Sequence, residues 1–201
     1  MIRAVLLAAL TAAGGAAAQP FVQIDAGLRL ELDPAGRLAA LAVDWRYGRA
    51  DSRSILTERG FPEGDAVTPA DLDRLAQTGI DWAEVPGDLE IRQNGAELLL
   101  GPIEDPRAGY EDGRITLSHR RRLLQPVAAD IPVEIRVFDP TFYIAYSLDD
   151  IAPLPEASRC RVTRIDADLK RAGEMLGQAM ETGESEGLGR AFADTVRLDC
   201  G

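Results

Sequence analysis

Alternation governs the first stretch of this chain that can fold. Val22, Ile24, Ala26, Leu28, Leu30 and Leu32 fall on one side of an extended segment, with Gln23, Asp25, Arg29 and Glu31 on the other. A period of two marks a strand with one face in a core and one in water. Asp33-Pro34-Ala35-Gly36 is turn chemistry, and Ala39, Leu41, Val43, Trp45 and Tyr47 then line one face of a second strand. A long hairpin with one apolar side must find a second apolar layer, which commits the chain to a layered β fold.

The later punctuation agrees. Asn94-Gly95 is a two-residue hairpin signal between Leu89-Glu90-Ile91-Arg92 and Glu97-Leu98-Leu99-Leu100, and Asp112-Gly113 precedes Ile115-Thr116-Leu117. Val133, Ile135 and Val137 lead into Asp139-Pro140, and Phe142, Ile144 and Tyr146 follow as a further alternating set. These read as antiparallel strands, in a sandwich or an open meander. Helices interrupt twice. A short helix is expected around residues 50–58, and Thr68-Pro69-Ala70-Asp71 reads as a cap with proline at the first helical position, with Leu72, Leu75 and Ala76 as its apolar stripe. Leu169, Ala172, Met175, Leu176 and Ala179 recur at helical spacing near the end. The fold class is therefore α+β: a mainly antiparallel, sandwich-like core with a helical insert at about 50–80 and a C-terminal helix.

Residues 1–18 read as an address. Arg3 is a positive start, Val5-Leu6-Leu7-Ala8-Ala9-Leu10 an apolar core, and Ala16-Ala17-Ala18 a small-residue cleavage site. The apolar run is too short to span a membrane as a helix. Cleavage after Ala18 leaves one β-rich domain, 19–201, in the periplasm. The net charge of -11 is spread along the chain and argues against nucleic acid or anionic lipid as partners.

Cys160 and Cys200 are the two cysteines. In an oxidising compartment they are expected to pair, because Cys160-Arg161-Val162 and Val196-Arg197-Leu198-Asp199-Cys200 both read as short strands that could lie side by side. Closing a loop of about 40 residues contributes roughly 4 kcal/mol in the chain-entropy model. A thiolate metal site is the rival, and two isolated cysteines without a nearby histidine argue against it.

Several segments, taken in order, carry a resemblance. They are Ala18-Gln19-Pro20-Phe21-Val22-Gln23-Ile24-Asp25-Ala26, Val43-Asp44-Trp45-Arg46-Tyr47, Val67-Thr68-Pro69-Ala70-Asp71-Leu72, Val137-Phe138-Asp139-Pro140-Thr141-Phe142-Tyr143, and Phe192-Ala193-Asp194-Thr195-Val196-Arg197-Leu198-Asp199-Cys200. The set resembles a family of uncharacterised exported bacterial proteins, periplasmic components of transport systems found beside nickel, cobalt or zinc permeases. The resemblance implies a His-Pro-His at the new N-terminus, where two imidazoles beside a free amine would suit zinc or nickel. Here the triplet is Gln19-Pro20-Phe21, so both histidines are missing. It also implies a calcium-loop-like stretch before the Thr-Pro-Ala helix. Gly60, Pro62 and Gly64 stand where oxygen ligands belong, so residues 60–65 read as a plain turn.

The remaining polar candidates are few. His119, the one histidine, shares a strand face with Ile115 and Leu117 and reads as a structural, partly buried residue. Arg120-Arg121-Arg122 alternate across that strand as a solvated edge. Asp139 before Pro140 reads as a turn cap, and Asp25 as a polar-face carboxylate; with His119 they are the weak metal candidates. Phe138, Phe142, Tyr143, Tyr146, Trp45 and Tyr47 read as core and cross-strand packing. Asp149 and Asp150 are adjacent, which on a regular strand sends them to opposite faces and disfavours acid–base work. The expectation is a non-enzyme with no cofactor: a periplasmic accessory protein of a divalent-metal transport system that docks or binds, with an inner-membrane permease as partner. The alternative is an envelope interaction domain without a metal role.

Overall fold

The computed structural model describes residues 22–79 and 89–201. The signal-peptide reading and the Gln19-Pro20-Phe21 triplet lie outside the described residues.

Among the described residues, ten strands form two five-stranded sheets. They are β1 (Val22–Leu32), β2 (Leu38–Tyr47), β3 (Leu89–Gln93), β4 (Ala96–Glu97), β5 (Leu100–Glu111), β6 (Arg114–Val127), β7 (Val133–Val137), β8 (Ile144–Ile151), β9 (Arg161–Ile165) and β10 (Thr195–Asp199). The first sheet runs β5-β6-β2-β1-β8 and the second β4-β3-β7-β10-β9. The apolar faces meet in one core. Ile24, Leu28, Val43, Trp45 and Leu117 enter it from the first sheet, and Ile91, Ile135, Val196 and Leu198 from the second. The expected α+β sandwich is the observed fold.

Turn chemistry sets the hairpins. Asn94 and Gly95 both take positive φ (49° and 78°), as do Asp112 and Gly113 (53° and 75°). These are the left-handed pairs that two-residue hairpins need. The Asn94-Gly95 hairpin is shorter than its sequence suggests. Its second strand stops at Glu97, and the chain crosses to the other sheet, where β5 begins at Leu100. The strand β5 was hidden by Pro102 and Pro106. It sits at a sheet edge, where proline is tolerated, and its register shifts twice against β6.

Two expectations change. Not all the strands are antiparallel: β8 lies parallel to β1, paired from Val22 with Ile144 to Leu28 with Ile151. The three arginines do not form an edge either, because β6 lies between β5 and β2. Arg120 instead holds Glu31 and Glu104, each at 2.8 Å, across the outer face.

Helices α1 (Arg49–Glu58) and α2 (Pro69–Arg74), with a π-turn at Leu75–Gly79, add Leu56 and Leu75 to the core. Thr68 caps α2 in a reciprocal capping box with Asp71. Gly64–Ala66 is a short 3-10 turn that overlaps the end of the stretch 60–65 read as a plain turn. After β9, α3 (Leu169–Thr182) and α4 (Leu188–Phe192) return the chain to β10. Asp199 pairs with Arg161, which brings the neighbouring Cys160 and Cys200 together as a disulfide.

Candidate functional site

The solvent face of the first sheet carries a cluster that no single segment of sequence displays. Asp25 on β1 lies opposite Arg46 on β2, and Gly27 lies opposite Asp44. On the other side of β1, Gly27 lies opposite Asp150. Asp25, Asp44, Asp149 and Asp150, with Arg46 and Thr116, line an open trough of about 580 Å³. Gly27 forms part of its wall, and a Cβ there would stand 3.4 Å from the Asp44 Cβ. Glycine therefore leaves the trough open between the carboxylates.

Asp149 and Asp150 correct a regular-strand expectation. The pairing of β8 with β1 slips between Ala26 and Gly27: Ala26 meets Leu148 and Gly27 meets Asp150, leaving Asp149 as an extra residue. A bulge breaks the alternation, so both neighbours line one trough. Asp149 accepts a 2.8 Å bond from the Ser147 hydroxyl. Asp25 is held by Arg114, which also donates to the Tyr47 carbonyl at 2.7 Å. Among the described residues Asp44 and Asp150 have no ion-pair partner, so their charges face solvent.

The weak metal candidates are not brought together. Asp25 points outward from the first sheet, whereas His119 is 3% exposed, in the core beside Trp45. The His119 ring meets Trp45 in a T-shaped contact at 4.6 Å. Burial, reinforced by the charge of Arg121, pushes its pKa down to about 4, so the imidazole is neutral near neutral pH. It is more deeply buried than its sequence setting suggested.

Asp139 is 2% exposed and structural. Its carboxylate accepts bonds from the backbone N–H groups of Thr141, Tyr143 and Ile144 at 2.8–2.9 Å and from the Thr141 hydroxyl at 2.8 Å. It thereby ties the turn that carries the chain from β7 in one sheet to β8 in the other. Phe142 lies in this turn with φ 58°, not on the strand, and stacks on Phe192 at 4.9 Å. Tyr143 is half exposed and does not join the core. Among the described residues no group of three or more His, Cys, Asp or Glu side chains is placed to hold a metal ion. No described helix is long and apolar enough to cross a membrane.

Sequence reading found Asp25 but missed Gly27 and Asp44 as its neighbours, and separated Asp149 from Asp150. The alternation of Val43-Asp44-Trp45-Arg46 did mark Asp44 as outward-facing; what it could not supply was the strand order.

Fold and surface define a disulfide-tied α+β sandwich with one open, charged sheet face. The chain belongs to the family described as Protein of unknown function (DUF1007), whose model matches residues 4–200. No curated protein matches the sequence.

Proposed function

We propose that this protein is an exported, non-enzymatic accessory component of a divalent-metal transport system, working in the periplasm by docking or binding through the outer face of its first sheet. Residues 1–18 act as a cleaved signal peptide in this reading, and the partner is an inner-membrane nickel, cobalt or zinc permease. The observation that carries it is the trough of Asp25, Asp44, Asp149 and Asp150. Asp44, Asp149 and Asp150, which have no ion-pair partner among the described residues, stand on an open face beside the Arg114-paired Asp25 and attract cations without enclosing them. That suits transient collection of hydrated dications, or docking onto a positively charged partner, better than tight chelation. The missing histidines at Gln19 and Phe21 agree with weak handling of metal rather than capture.

Calorimetric titration of residues 19–201 with zinc, nickel, cobalt and calcium tests this, run beside an Asp44→Asn/Asp150→Asn variant and a Gln19→His/Phe21→His variant. Weak, salt-sensitive binding lost in the aspartate variant, together with recovery of a permease in pull-down, is expected. Sub-micromolar binding that survives the aspartate substitutions would place the ligands elsewhere and overturn the reading. Exposed Leu99 and Leu124, joined by a backbone bond of 2.9 Å, favour the alternative of an envelope interaction domain with no metal role. Metal-independent partner capture abolished by Leu99→Ser/Leu124→Ser would select it.

A further inference from the structure

On the opposite side of the sandwich, the outer face of the second sheet holds a different chemistry. Glu90 on β3 lies beside Arg136 on β7, and Arg136 beside Thr195 on β10. The Glu90 carboxylate receives bonds from Arg92 at 3.1 Å, Arg136 at 3.3 Å and Arg190 at 2.9 Å. Arg136 also donates to the Thr195 hydroxyl at 2.8 Å. Burial works to raise the Glu90 pKa, but the bonds from Arg190, Arg92 and Arg136 outweigh it and hold the carboxyl below its usual range.

A cleft of about 460 Å³ opens where α3 and α4 meet this face, within the size range of small-molecule sites. Arg136, Arg171 and Arg190 line it from three separate elements, β7, α3 and α4. Of these, Arg136 and Arg190 share the one Glu90 carboxylate, which cannot occupy the roughly five N–H donors that each guanidinium presents. Arg171 has no ion-pair partner among the described residues. Arg136 and Arg190 are already fixed by Glu90, so an arriving anion would meet preset forks.

Two further features narrow the ligand. Ile165, half exposed on β9, and Met175 on α3 add apolar surface to the same cleft. Asp166 and Asp168 also line it, and their charges oppose a multiply charged anion more than a singly charged one. We propose that this cleft binds a small monocarboxylate with a short apolar body, its carboxylate held by Arg136, Arg171 and Arg190 and its aliphatic part against Ile165 and Met175. The site is separate from the aspartate trough and does not depend on any metal role.

Nitrogen-15 NMR titration of the full chain with hexanoate, and with acetate, inorganic phosphate and hexylamine as comparisons, tests it. Saturable shifts confined to residues 165–175 and 190–195 are expected with hexanoate, weaker ones with acetate and phosphate, and none there with hexylamine. Arg171→Gln, at an exposed position, is expected to weaken hexanoate at least about tenfold while leaving the thermal midpoint unchanged. Arg190→Gln should weaken it similarly, with folding checked by its spectrum. Absence of saturable shifts in the native chain, phosphate binding as tightly as hexanoate, or full affinity in Arg171→Gln would each overturn the proposal.

Discussion

The backbone carbonyl of Asp139 occupies the space that a Cβ at Gly189 would need, so α4 lies directly against the turn that joins the two sheets. Gly189→Ala should therefore force the helix or the turn to move, since the obstacle is backbone and cannot swing aside. A loss of about 3 kcal/mol is expected in urea denaturation. Gly177→Ala in α3, where a Cβ meets nothing within 4 Å, should instead be neutral or stabilising by about 0.5–1 kcal/mol. Equal effects at both positions would show that the close approach is not what constrains α4.

Asp139 itself is expected to matter for stability. Asp139→Ala strands the N–H groups of Thr141, Tyr143 and Ile144 beside a buried site and should cost about 3 kcal/mol in the same assay. Asp139→Asn keeps one acceptor oxygen and should cost less. A substitution to alanine within about 0.5 kcal/mol of the native protein would mean that the crossing turn holds without its carboxylate.

His119 makes the fold acid-sensitive. Its pKa is about 4 when folded against 6.5 ordinarily, because burial, with help from Arg121, disfavours the charged ring. Above about pH 6.5 the ring is neutral in both states and no penalty arises. Between about pH 6.5 and 4 the unfolded chain takes up a proton that the folded chain refuses, so stability falls as pH falls; below about pH 4 the loss is complete. Going from pH 7 to pH 5 should remove about 2 kcal/mol from this source. His119→Leu should flatten that part of the profile, and an unchanged slope in the variant would assign it to other groups.

The disulfide between Cys160 and Cys200 spans 40 residues and ties the start of β9 to the end of β10. Cys160→Ala/Cys200→Ala should lower stability by about 4 kcal/mol, the loop-closure value for that span, as read from denaturant midpoints with and without reductant. Reductant should shift the native protein toward the variant and leave the variant where it is.

Much of this architecture was legible locally. The alternation of 22–32 and 41–47, the Asn94-Gly95 and Asp112-Gly113 turns, the Thr68-Pro69 cap and the C-terminal helix all report short-range physics and stand in the structure. Two details differ: Leu38 and Ala40 rather than Ala39 are buried where β2 starts out of register, and Leu169 at the head of the helical stripe is exposed. Where reading along the chain failed, a longer-range contact had overridden the local rule. Pro102 and Pro106 are tolerated because β5 is an edge. Phe142 leaves its alternating set because Asp139 draws the backbone N–H groups around it into a turn. The aspartate trough was least legible of all, since its members come from β1, β2 and β8 and one of them depends on a bulge.

By itself, then, the sequence determined the α+β class, the buried face of each clear strand, the hairpin turns and the pairing of Cys160 with Cys200, because period, turn chemistry and cysteine count act through neighbours in the chain. Strand order, the parallel placement of β8 beside β1, the Asp149 bulge and the gathering of charges into a trough on one face and a cleft on the other were decided only by tertiary structure. Those features depend on which strands share an edge and how their registers slip, and both are settled when the two apolar faces close on a common core.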